Sequence, residues 1–207
     1  MISFNLYDHY KDSDIEWIGV IPRHWELKSI KYISDIVLGK MLTNDNKGDM
    51  VLKPYLRSFN IQNNRLDMSD VNEMWFSNDE LKKLRLQKGD LLLNEGGDVG
   101  RTVMWNDELD ECYIQNSVNR VRVIHSNPHY IKYVSILYHG VGYYDSIVSR
   151  VSIPHLTKDK LENVSFILPP LFEQEQIVSY LDEKTSQIDK TIDIDLYHTL
   201  NHWIQYE

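Results

Sequence analysis

Residues 168–190 read LPPLFEQEQIVSYLDEKTSQIDK, and this stretch divides the chain into two parts of different physical character. Just ahead of it, residues 164–168 (VSFIL) are β-branched and aromatic, which predicts a strand, and Pro169-Pro170 end it because proline cannot donate to a ladder. Beyond the prolines neither Gly nor Pro occurs again up to residue 207. Within that stretch Ile177, Leu181, Ile188, Ile192, Leu196, Leu200 and Trp203 fall along one helical stripe with charged residues between them. The pattern predicts one amphipathic helix over residues 169–207. At 1.5 Å per residue it would reach roughly 55 Å, more than a domain of this size needs to close its own core. A partner helix is implied.

Working back from the helix, residues 54–123 read mainly as strands: PYLRSFNI, DLLLNE, RTVMWN and VNRVRVI, each bounded by turn residues. Ser77 and Glu80 have the spacing of a capping box, so ELKKL is expected to form a short helix. Asn127-Pro128 supplies a cap and a first-turn proline for a second helix ending near Gly140. Gly96-Gly97-Asp98-Val99-Gly100-Arg101 lacks the lysine ending and glycine spacing of a phosphate loop and is expected to be a tight hairpin turn. Leu27, Ile30, Ile33 and Val37 recur every three or four residues and suggest a helix ending at Gly39. Residues 10–25 show neither period and are expected to be an ordered, irregular lead-in anchored by its tryptophans. The fold class is therefore α+β: a mixed-sheet domain over residues 1–168, with the lead-in at 1–38, followed by the long helix.

A length of 207 residues suits one well-cored domain and an appendage, and one cysteine, Cys112, excludes an internal disulfide framework. With no apolar run long enough for a membrane and nothing resembling a signal peptide, the expected setting is the cytoplasm. A net charge of -9 argues against general affinity for phosphate backbones. The charge is unevenly spread, however. Residues 171–207 carry two bases against eight acids, whereas residues 25–170 hold 18 of the 22 bases against 19 acids. A locally positive face is permitted there.

The segment at 168–190 closely resembles the conserved helical region of specificity subunits of type I restriction and modification enzymes, in its proline pair, its Glu-Gln step and its Ile177-x-x-x-Leu181-Asp182 continuation. YKDSDIEWIGVIPRHWELKSIKYI is similar to the conserved N-terminus of that family, and PYLRSFNIQ with KGDLLLNEGGDVGR to the body of a target recognition domain. The resemblance implies a non-catalytic, DNA-reading subunit of a bacterial defence system. Its helix would form coiled coils and dock modification (adenine methyltransferase) subunits, with a restriction subunit in the full complex and no cofactor of its own. It also implies a departure, because family members usually carry two recognition domains and this chain has one. A second half-subunit, another copy or a separate chain, would supply the other half-site. Antiparallel helices of about 55 Å would then span roughly 16 base pairs between inverted half-sites. The alternative is a truncated remnant or competitor that binds the partner subunits without reading DNA.

Base edges are matched by Arg for guanine, Asn or Gln for adenine and Ser or Thr for either. Two segments are dense in these: Arg57, Ser58, Asn60, Gln62, Asn63, Asn64, Arg65, and Gln115, Asn116, Ser117, Asn119, Arg120, Arg122. The plainer reading is that Asn and Gln shape turns. Lys82 and Lys83, with Arg85 and Lys88, form the densest basic run and could hold phosphates or simply be solvated. Arg101 is expected to approach DNA from its hairpin, with Arg150 and His155 as further candidates. Asn127-Pro128-His129-Tyr130 differs by one proline from the motif with which amino-methyltransferases hold adenine, and is read as a helix start. His198 and His202 have metal-pair spacing but no obvious third ligand, and Cys112 no matched histidine.

Overall fold

Strand Leu91–Asn94 is apolar at consecutive positions, and all four of its residues are buried, so it must lie in a sheet covered on both faces. The computed structural model describes residues 7–62, 64–148 and 154–204, with side chains described as far as Ile192. In chain order the strands are β1 (Tyr10–Asp12), β2 (Val20–Pro22), β3 (Glu26–Ser29), β4 (Ser34–Leu38), β5 (Val51–Leu56), β6 (Ile61–Gln62), β7 (Arg65–Leu66), β8 (Asn72–Phe76), β9 (Leu91–Asn94), β10 (Thr102–Met104), β11 (Tyr113–Ile114), β12 (Val118–Val123) and β13 (Ser165–Leu168). The helices are α1 (Asn78–Leu84), α2 (Pro128–Gly140), α3 (Tyr143–Ile147), α4 (Lys158–Glu162) and α5 (Leu171–Ile204). Among the described residues no helix is long and apolar enough to cross a membrane.

The central sheet runs β10-β9-β12-β4, antiparallel throughout. Because successive strand residues point to opposite faces, Leu91 and Leu93 enter one core with Ile36 and Val121, while Leu92 enters another with Val37 and Val118. The first core is closed by Tyr130, Ile131 and Tyr138 of α2, Tyr144 of α3, Leu161 of α4 and Phe166 of β13. The second is closed by the smaller sheet β11-β5-β8, whose β11–β5 pair is parallel and whose β5–β8 pair is antiparallel. Two cores sharing one sheet make the domain a layered α+β unit, as the sequence predicts.

Local chemistry sets several boundaries where expected. Ser77 Oγ accepts from Glu80 N, and Glu80 Oε2 accepts from Ser77 N at 2.8 Å, completing the capping box of α1. Asn127 Oδ1 accepts from His129 N at 2.9 Å and Tyr130 N at 3.2 Å, and Pro128 opens α2. The side chain of Asn127 is thus occupied as a cap. The glycine-rich stretch is a hairpin between β9 and β10, with Gly97 and Gly100 at φ of +77° and +78°.

Two expectations are corrected. Residues 27–38 are not a helix: β3 pairs with β13, a 3-10 turn spans Ile30–Tyr32, and β4 pairs with β12. The apparent helical period arises because β-branched residues here feed both cores, Ile30, Ile33 and Ile36 one and Val37 the other. Sheet pairing overrides a short periodic signal. Gly39 is accordingly no helix cap. A Cβ on it would lie 2.3 Å from the carbonyl oxygen of Gln115, so glycine permits two backbones to touch. The lead-in, in turn, contains the β1–β2 hairpin, with Lys11 opposite Ile21. Its tryptophans do anchor it: Trp17 packs edge-on against Tyr138 with ring centroids 5.5 Å apart, and Trp25 reaches α5.

That last contact fixes the long helix. Glu173, 7% exposed, accepts from Tyr7 Oη at 2.7 Å and Trp25 Nε1 at 2.9 Å and bonds His24 Nε2 at 2.7 Å. Gln174 accepts from Ser126 Oγ at 2.7 Å and Asn127 N at 2.9 Å and donates to Pro169 O at 2.8 Å. Burial alone would raise the Glu173 carboxyl, but the hydrogen bonds from Tyr7, His24 and Trp25 outweigh it and hold the group below its ordinary value of about 4.5. The same carboxylate helps burial push the Tyr7 hydroxyl up to about 12. Replacing Glu173 by Ala should cost about 3 kcal/mol in urea unfolding, the order expected when charge-assisted bonds lose their acceptor. A carboxyl depressed in the folded state stabilises fully above its unfolded value, and that contribution is lost as pH falls through the folded value. Wild type should therefore lose stability on acidification below about pH 4.5 more steeply than Glu173→Gln, as read from melting temperature against pH.

Candidate nucleic-acid interface

The two polar segments singled out in the sequence meet at one end of the smaller sheet. Strand β5 delivers residues 57–60 and β11 delivers residues 115–117, and because the two strands run parallel, both segments leave the same edge. They are then bonded together: Gln115 N donates to Leu56 O at 2.9 Å, Ser58 N donates to Ser117 Oγ at 3.0 Å, and that hydroxyl donates to Gln115 Oε1 at 2.7 Å. Lys40 N donates to Ile114 O and Asn116 N to Lys40 O, bringing in the strand-end residues beyond β4. The Lys40 ammonium bonds Glu80 at 2.6 Å and so ties α1 to the same loops, while Lys82 and Lys83 on that helix are exposed.

Within this surface the residues differ sharply in what they have left to offer. Asn60 is fully buried: its Oδ1 accepts from Arg57 N at 3.0 Å and its Nδ2 donates to Asp67 O at 2.9 Å and Asp70 O at 3.0 Å. Asn119, also fully buried, donates to Leu156 O at 2.9 Å. Arg120 is 2% exposed and ion-paired to Asp35 at 2.5 Å, while Arg122 grips Asp90 through two bonds of 2.8 and 2.7 Å. Asn60, Asn119 and Arg120 were expected to face DNA, and the fold instead spends them internally, as it does the guanidinium of Arg122. Residue type carries no information about burial: Asn119, Arg120 and Arg122 lie on β12 within the central sheet, and Asn60 ends the 3-10 turn that follows β5.

Arg57, Gln62 and Arg101 are intermediate. Arg57 pairs with Asp70 at 2.5 Å. Arg101 Nε donates to Asp98 at 2.8 Å, and its Nη1 reaches Ile61 O at 3.1 Å and Gln62 Oε1 at 3.2 Å. Gln62 Nε2 donates to Phe59 O at 2.6 Å. The β9–β10 hairpin therefore braces the 57–62 segment from behind. Burial works to raise the Asp98 carboxyl, but His139 and Arg101 lower it overall. Asn64, at φ +53°, and Arg65 are exposed on the β6–β7 turn, and Gln115 and Asn116 are half-buried. On the opposite flank His155 Nδ1 bonds Glu95 at 2.7 Å, and Glu95 N donates to Ser117 O. Asn63 and Arg150 lie outside the described residues.

Two features escaped sequence reasoning. Phe59, amid the polar segment, is 50% exposed, and Met41 and Leu42, next to Lys40, are 74% and 49% exposed. Apolar residues next to strands read as core, and only their position shows otherwise. Cys112 is buried and its thiol is pushed up to about 12, so it carries no thiolate near neutral pH.

A different surface is offered by α5. Ile177 and Val178 pack on the first core, and Tyr133 Oη donates to Asp182 at 2.5 Å. Further out, Ile188 and Ile192 are 57% and 58% exposed, and the described side-chain bonds run within the helix. Side chains of Leu196, His198, Leu200, His202 and Trp203 lie outside the described residues.

A layered domain with hydrogen-bonded polar loops at one sheet end, mounted on a helix whose apolar stripe runs beyond the domain, has the architecture of a recognition module. The family model for the type I restriction modification DNA specificity domain matches residues 22–197, and the chain belongs to that family. It is 23% identical over 209 residues to the putative type I restriction enzyme MjaX specificity subunit of Methanocaldococcus jannaschii, covering 94% of this chain and 47% of that protein. Over 101 residues, 47% of this chain and 24% of the relative, it is 36% identical to the putative specificity subunit S.HindORF215P of Haemophilus influenzae. The fold is similar to that of the HsdS subunit from Thermoanaerobacter tengcongensis, with a TM-score of 0.61 at 20% identity over 82% of this chain and 39% of that one. The chain thus spans about half the length, or less, of the relatives it matches.

The split between buried and presented amides is measurable. Asn60→Ala should lower unfolding free energy by about 3 kcal/mol, since three bonds vanish at a position closed to water. Asn116→Ala should change it by less than about 0.5 kcal/mol. Equal costs in urea titrations would show that the 115–117 loop is also structural.

Proposed function

We propose that this chain reads one half-site of a bipartite DNA target and docks modification subunits, which methylate adenine, through α5. The observation that carries the reading is the junction of residues 57–60 and 115–117 at one end of a sheet, within a chain of the specificity family. Arg65, Asn64, Gln115 and Asn116 are the side chains best placed to meet base edges, and Lys82 and Lys83 to meet phosphates. Arg57, Gln62 and Arg101 form a braced layer behind them. The chain itself catalyses nothing on this reading; methylation and cleavage belong to the modification and restriction subunits. A second recognition domain supplies the remaining half-site, and the exposed stripe through Ile188 and Ile192 is the surface that pairs.

Coexpression with the modification subunits of its own source, followed by mapping of adenine methylation, should yield a two-part motif with a spacer of fixed length. Methylation at no site despite a stable complex would favour the competitor reading. The double variant Ile188→Asp, Ile192→Asp removes the stripe without touching the domain core. It should abolish co-purification of the partners while leaving the melting temperature of the isolated chain within about 2 °C, the range of a surface change.

A further inference from the structure

Phe59 sits on the 3-10 turn Ser58–Asn60 with its side chain half in solvent, and that turn is held from both sides. Ser58 N is bonded to Ser117 Oγ at 3.0 Å, and Asn60 is locked by its bonds to Arg57, Asp67 and Asp70. The carbonyl of Phe59 itself accepts from Gln62 at 2.6 Å. A hydrophobic ring gains by burial, yet on this pinned turn the ring stands half in solvent. It is an apolar group presented rigidly among polar side chains suited to base edges.

Resting on the DNA-reading function above, we propose that Phe59 is a specificity-determining residue that contacts a thymine C5-methyl group in the major groove. The methyl is the one apolar mark by which the groove distinguishes a base pair, and aromatic side chains complement it. A half-site holding an adenine to be methylated necessarily contains a thymine opposite it. The alternative use of such a ring, as a wedge between stacked base pairs, requires both ring faces to be free. Here the Arg57 guanidinium carbon lies 5.2 Å from the ring centroid and is itself anchored to Asp70 at 2.5 Å. One face is covered. The remaining face and edge suffice for a methyl and are too little for intercalation.

The test uses the chain assembled with its modification subunits and a duplex bearing the motif found by methylation mapping. Each thymine of the half-site is replaced singly by deoxyuridine, which keeps base pairing and deletes only the methyl. At one position the wild-type complex should bind about three- to fivefold more weakly, the order of one methyl's burial. Phe59→Ala should bind the thymine duplex weakly to a similar or greater extent and be indifferent to deoxyuridine there, whereas Phe59→Leu should retain part of the sensitivity. Unchanged melting of the variants establishes that they fold. If site-specific binding is intact but no thymine responds, or if Phe59→Ala keeps the full deoxyuridine penalty, the proposal is overturned while the DNA-reading function stands. If the complex shows no preference for its motif over random duplex, both fall.

Discussion

One buried carboxylate joins the parts of this molecule that must keep a fixed orientation. Glu173 gathers Tyr7, His24 and Trp25 from the lead-in, and its neighbour Gln174 ties the same helical turn to the start of α2 and to the proline carbonyl before α5. Strand pairing of β3 with β13 closes the same region, since Glu26 stands opposite Leu168. A single bond at this root would leave the helix a lever. A tilt of about 10° at the base of a helix of 34 residues displaces its far end by about 9 Å, given a rise of about 1.5 Å per residue. Bonds in several directions, made to two consecutive side chains, resist tilt and axial rotation together. Any device that sets a distance between reading domains needs that stiffness.

Electrostatics inside the domain follow a related logic. Arg57, Arg101, Arg120 and Arg122 each carry an aspartate partner: Asp70, Asp98, Asp35 and Asp90. The pairing explains how a region with 18 bases and 19 acids packs its guanidinium groups without stranding charge. It also means that these four arginines shape the fold instead of adding affinity. Phosphate binding gains chiefly from counterions released per contact, so a surface with few unpaired cations binds weakly alone. On the proposed function, useful affinity then comes from tethering a second recognition domain and the modification subunits.

What could be read from the sequence was what is encoded locally. Ser77 and Glu80, Asn127 and Pro128, the proline pair at 169–170 and the stripe through Ile177 and Ile188 act within a few residues or along one helix, so their spacing alone suffices. The residues at 27–38 failed because their environment is made by distant strands, β12 on one side and β13 on the other. The candidate interface divides in the same way. Both polar segments do come together, yet Asn60, Asn119, Arg120 and Arg122 share the chemistry of Asn116 and Arg65 while lying on the inward side. Which of them is buried is decided by distant partners: Asn119 and Arg120 lie on a strand paired on both sides, with β4 and β9, and Asn60 is enclosed by the carbonyls of Asp67 and Asp70. Phe59 was overlooked for the converse reason, being apolar in a segment searched for polar groups.

The acidity of the helix, at first an objection to DNA binding, becomes a structural requirement once the stripe is considered. A helix whose flanks carry Glu175, Asp182, Glu183 and Asp189 is repelled by a phosphate backbone, with a reach of about 8 Å at physiological salt. Its apolar side is correspondingly left for protein, since Ile188 and Ile192 gain nothing from phosphates and much from another helix. Were the same face basic, the helix could lie along the duplex and hold the reading loops away from the groove. On the proposed function, acidic flanks would confine contact with DNA to the sheet end where the polar loops converge and would leave the stretch between half-sites untouched. A spacer fixed in length and free in sequence is what such a charge distribution would produce.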